Sequence, residues 1–97
     1  MNETQYLKIL NTIYKYYGID KDEFIKLLKN REYKFLFLLV LKNNDCLSNY
    51  ELISKLGINI DRSMKNTIKK AEEKFLINTY FRKKYIELEN SIKKEID

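Results

Sequence analysis

Phe35 to Leu41 is an unbroken run of apolar residues, Phe-Leu-Phe-Leu-Leu-Val-Leu, and it restricts the fold more than any other stretch of the chain. Wound as a helix over Arg31 to Lys42, the run together with Tyr33 is apolar on nearly every side, so the helix must be covered all round and forms the centre of the core. A buried strand would also suit such a run, but no partner strand is apparent elsewhere. The run is far short of the ~20 residues that cross a bilayer. The absence of proline, the presence of only two glycines and the abundance of Leu, Lys, Glu and Ile favour helix almost throughout. With 44% apolar and 34% charged residues, 97 residues make a single globular domain with one modest core. The expected fold is all-α with about six helices, comprising a helical hairpin over 1–30 and then, over 31–97, a helix-turn-helix core and a closing C-terminal helix.

Residues 4 to 17 read as the first helix, with Tyr6, Leu10, Ile13 and Tyr17 on one face and Gly18 closing it. Asp20 with Glu23 is a capping box for a short second helix, with Phe24, Leu27 and Leu28 inward and Lys21, Lys26 and Lys29 outward. Asn43-Asn44-Asp45 forms a loop. Ser48 with Glu51 is a further capping box, opening a helix to Leu56 that Gly57 ends. Asp61 then caps a helix whose Met64, Ile68, Ala71 and Phe75 make one inward stripe. Two short helices joined by a tight glycine-containing turn define a helix-turn-helix, whose second helix can enter the DNA major groove. Asn78 or Thr79 caps the last helix, with Phe81, Tyr85, Leu88 and Ile92 on one face. The interval from Phe75 to Thr79 is too short for a β-hairpin, which disfavours a wing.

The net charge of +5 is concentrated. Residues 1–61 carry nine Lys/Arg against eight Asp/Glu, and residues 85–97 carry two against four. Residues 62–84 carry Arg62, Lys65, Lys69, Lys70, Lys74, Arg82, Lys83 and Lys84 against Glu72 and Glu73, a net of +6. On a helical projection with Met64 at zero, the inward stripe centres near about 10°, which puts Arg62, Asn66 and Lys69 on the far side, flanked by Ser63, Lys65 and Lys70. Arginine can bind guanine, and asparagine adenine, through paired hydrogen bonds, so Arg62, Ser63 and Asn66 are assigned to base readout. Lys65, Lys69, Lys70, Arg82, Lys83 and Lys84 neutralise phosphate, while Lys74, farther along the helix, is solvated. A charged outer face with Glu72 and Glu73 paired to Lys69 or Lys65 is also what an ordinary surface helix shows; the capped helix, the glycine turn and the local charge excess together favour DNA.

The chain has no histidine and a single cysteine, Cys46, which removes Ser-His and Cys-His nucleophile pairs, histidine metal sites and an internal disulfide. No acid, base, nucleophile or metal constellation converges, so neither an enzyme nor a cofactor is expected. The polar start Met1-Asn2-Glu3-Thr4 is no signal peptide, and a cytoplasmic protein without membrane contact is expected.

From about Arg31 to Ile92 the chain resembles the C-terminal DNA-binding domain of the replication initiator DnaA, one of the helix-turn-helix domains that include the Trp repressor. The apolar positions from Gly57 and Met64 through Ala71, Phe75, Phe81, Tyr85, Leu88 and Ile92 carry that resemblance. It implies a fold in which an apolar helix precedes the helix-turn-helix and an amphipathic helix closes the back, with double-stranded DNA as ligand. The family's Arg-Asp-His-Thr-Thr/Ser-Val run is replaced by Asn59, Ile60, Asp61, Arg62, Ser63 and Met64, so its origin-box specificity does not carry over, and no ATPase module is present. The expected protein is a DNA-binding accessory factor or repressor in plasmid, phage or mobile-element replication, transfer or transcription. It would act as a homodimer or with a protein of those processes. The competing reading is a helical adaptor using the tyrosine-rich first helix, and RNA binding through Tyr80 and Phe81 is a third.

Overall fold

The computed structural model describes residues 3–46 and 62–96, and every described element is helical. In chain order these are α1 (Glu3–Tyr17), α2 (Lys21–Leu27), α3 (Arg31–Asn43), α4 (Arg62–Ile77) and α5 (Thr79–Ile96). The helix expected from Ser48 to Leu56, the turn at Gly57 and the cap at Asp61 lie outside the described residues.

The helix boundaries follow from local chemistry. Gly18 adopts φ +65°, the left-handed conformation that ends α1 without a Cβ penalty. Asp20 then starts α2 through the expected reciprocal box: its Oδ1 accepts from the Glu23 amide at 2.8 Å, and Glu23 Oε1 accepts from the Asp20 amide at 3.3 Å. Asn30 caps α3 by accepting from the amides of Glu32 and Tyr33. Asn78 caps α5, with Oδ1 accepting from the Phe81 amide at 2.9 Å. Asn78 is the only residue between α4 and α5, which leaves no room there for a wing.

Every residue from Phe35 to Leu41 is buried, so α3 is the axis of the core, as its all-round apolar character requires. α4 and α5 pack against it and against each other. The most extensive contact of α1 is with α5, so the N-terminal helices pack on the rest of the core. Tyr6, Ile9, Leu10 and Ile13 of α1 are buried in the same core as Phe81, Tyr85, Leu88 and Ile92 of the closing helix. An aromatic cluster joins α2 to this core: the rings of Phe24 and Phe37 are 4.8 Å apart, with Tyr17 and Tyr33 in contact with Phe37.

A polar latch fixes the end of α3 to α5. Asn43 Nδ2 donates to the Tyr85 hydroxyl at 2.7 Å, and that hydroxyl donates to Glu89 Oε2 at 3.0 Å. Asn44 Nδ2 donates both to the Val40 carbonyl at 2.8 Å and to Glu89 Oε1 at 3.2 Å. Orphan carbonyls at a helix end thus find donors, and α5 is held in register with α3.

Candidate nucleic-acid interface

α4 is amphipathic because its apolar residues recur at helical spacing, and the fold uses that spacing as expected. Met64, Ile68 and Ala71 are buried, and Phe75 is half-buried with its ring 5.2 Å from that of Tyr85. The opposite face is therefore turned outward: Ser63, Lys65, Asn66, Lys69 and Lys70 are all exposed. No described residue forms an ion pair with Lys65, Lys69 or Lys70. The Arg62 side chain lies outside the described set.

Of the two acidic residues of α4, Glu73 is exposed and falls at about 180° on the projection, on this face between Lys69 and Lys70, while Glu72 is drawn away from it. Glu72 reaches across to Lys42 of α3 at 2.9 Å rather than back to Lys65 or Lys69. Lys74 is half-buried with its ammonium 5.3 Å from the centre of the Phe81 ring and 5.9 Å from that of Phe35, a cation–π seat in place of the solvated position expected.

The basic residues at the start of α5 divide into different roles. Arg82 is half-buried, and its Nε and Nη2 donate at 2.9 Å to the carbonyls of Phe75 and Leu76, so the guanidinium closes the end of α4. Lys84 stands 4.5 Å above the Tyr80 ring and 3.6 Å from a Glu32 oxygen. Tyr80 and Glu32 both raise its pKa, against an opposing effect of burial. Lys83 is exposed and unpaired among the described residues. The structure thus groups Ser63, Lys65, Asn66, Lys69 and Lys70 on one face, adds Lys83 as a nearby exposed cation, and engages Arg82 and Lys84 within the protein.

Of the tyrosines in α1, Tyr6 is buried, Tyr14 and Tyr17 are half-buried in ring contacts with Phe24 and Phe37, and Tyr16 is exposed. Near the basic face Tyr80 is exposed and Phe81 is fully buried. Sequence reasoning overlooked Leu76 and Ile77, which are 74% and 82% exposed at the end of α4. Their signal was available in the projection, where they fall at about 120° and 220°, away from the inward stripe.

Cys46 is buried, its Sγ is 3.6 Å from the Asn44 carbonyl, and burial pushes its thiol pKa up to about 12. Among the described residues no group of three or more His, Cys, Asp or Glu could hold a metal ion. No described helix is long and apolar enough to cross a membrane.

No protein-family model matches the chain, and neither the curated proteins nor the solved structures contain a match.

Proposed function

We propose that the chain binds double-stranded DNA through the outward face of α4, as a small accessory factor or repressor. One observation carries this reading: Lys65, Asn66, Lys69 and Lys70 project together from a helix whose other face is anchored in the core. A lysine face that Glu73 offsets only in part, on a helix anchored in the core, suits phosphate, and the amide of Asn66 among those lysines suits a base edge. Asn66 and Ser63, with Arg62 at the start of the helix, would read bases. Lys65, Lys69, Lys70 and Lys83 would hold phosphates. Arg82 positions α4 by closing its end, and Lys84 serves chiefly to join α5 to α3.

The resemblance to the DnaA and Trp-repressor type of helix-turn-helix fits this assignment, with α4 as recognition helix. A single module of this size covers limited DNA surface, so tight binding calls for a second copy or a partner. The test is selection of bound duplexes from a random pool, followed by titration of the enriched sequence. Binding that collapses in a Lys69→Ala/Lys70→Ala variant while an Asn66→Ala variant loses preference for the enriched site is the expected result. Failure to retain any duplex at low salt would defeat the proposal.

A further inference from the structure

Leu76, Ile77 and Tyr80 are 74%, 82% and 66% exposed, and all three lie at the corner where α4 meets α5. Isolated exposed apolar residues are ordinary, but a grouped set of large ones marks a contact surface. Leu76 also walls a hollow of about 260 Å³ together with Leu39 and Phe75, with Asn43 and Glu72 at its rim. That volume is below the roughly 300–1,000 Å³ of a small-molecule site and suits a single inserted side chain. The surroundings are basic: Lys69 and Lys70 precede the corner on α4, and Lys83 follows it on α5, all exposed. Of the two acids that precede Leu76 on α4, Glu72 is paired with Lys42, and the exposed Glu73 offsets one of these three lysines, leaving a net positive surround.

We infer that this corner docks an acidic, amphipathic segment of another protein, with one leucine or aromatic anchor in the hollow beside Leu76 and carboxylates toward the surrounding lysines. Charge selects this occupant. A second copy of a chain with net charge +5 would set the same lysines against each other. A lipid surface takes a long apolar helix face, whereas the apolar stripes of α4 and α5 are turned into the core. A duplex offers phosphate, which does not complement three apolar side chains. Along α4 the corner is about 15 Å from Asn66, but it shares Lys69, Lys70 and Lys83 with the proposed phosphate contacts, so an acidic partner and a duplex compete for those cations. The inference stands whether or not α4 reads DNA.

The probe is a phage-displayed library of random peptides of about 16 residues, or roughly 24 Å as helix, panned against the full chain. Enriched peptides should combine Leu or Phe with Asp and Glu. Their affinity should fall about tenfold or more in Leu76→Ala and in Tyr80→Ala, as for anchor residues of an interface. In Lys83→Glu it should fall severalfold, with the circular dichroism of all three variants unchanged. Leu76→Ala and Tyr80→Ala lie outside the proposed DNA contacts, so duplex affinity measured in these two separates failure here from failure of the DNA reading, whereas Lys83→Glu, at a proposed phosphate contact, should weaken both kinds of binding. Absence of enrichment, enrichment of basic or uncharged peptides, or indifference to the three substitutions would overturn the inference. So would binding to phosphatidylserine vesicles, or dimerisation on sedimentation, that is lost in Leu76→Ala, since the occupant would then be lipid or a second copy.

Discussion

Replacing Lys69 and Lys70 together with alanine should lower the salt dependence of duplex binding by a calculable amount. Both side chains are exposed and without an ion-pair partner among the described residues, so their removal leaves the core stripe of Met64, Ile68 and Ala71 untouched. Each phosphate neutralised contributes about −0.9 to the slope of log affinity against log salt. Lys65, Lys69, Lys70 and Lys83 together give a slope of about −3.6, which weakens binding ~150-fold between about 50 and 200 mM salt. A contact from Arg62 would bring this to about −4.5 and ~500-fold. Had Arg82 and Lys84 also held phosphate, the slope would approach about −6.3 and the loss ~6,000-fold. The double variant should reduce the slope by about 1.8. Fluorescence anisotropy of a labelled duplex over a salt series measures both slopes. A double variant with the parental slope would remove α4 from the interface, and a parental slope near about −6 would refute the assignment of Arg82 and Lys84 to contacts within the protein.

Arg82→Ala should destabilise the fold by about 1–2 kcal/mol, because two charge-assisted hydrogen bonds to the end of α4 are lost. Thermal unfolding should register a drop of at least several degrees, with the salt slope of DNA binding unchanged. Gly18→Ala should cost about 1 kcal/mol, because the residue has φ +65° while a new Cβ would meet nothing within 4 Å; an equally stable variant in chemical denaturation would contradict that. Burial pushes the pKa of Tyr6 and Tyr85 up to about 12 from an ordinary 10.0, and that of Cys46 to about 12 from 9.0. Folding therefore holds these groups neutral, and the unfolded chain loses its protons first. Their stabilising contribution is complete below about pH 9 and is lost as pH rises toward about 12. Denaturant midpoints measured across that interval should fall progressively, and a flat profile would contradict the burial of these groups.

Helix placement was largely legible in the chain because its causes are local. A capping box at Asp20 and Glu23, glycine at the left-handed position 18 and an asparagine cap at 78 act within a few residues, and each acts where the pattern places it. The outward face of α4 was legible for the same reason, since the spacing of Met64, Ile68 and Ala71 decides which side is buried. What pairing each long side chain makes was not legible, because it depends on residues distant in the chain. Glu72 meets Lys42, Lys84 meets Glu32, and Lys74 seats over Phe35 and Phe81 only once α3, α4 and α5 are assembled. α1 likewise makes its main contact with α5, nearly the whole chain away, which local periodicity does not specify. Local periodicity determined the helices and their buried faces; tertiary packing decided which cations remain available to a ligand and left Leu76, Ile77 and Tyr80 uncovered at the α4–α5 corner.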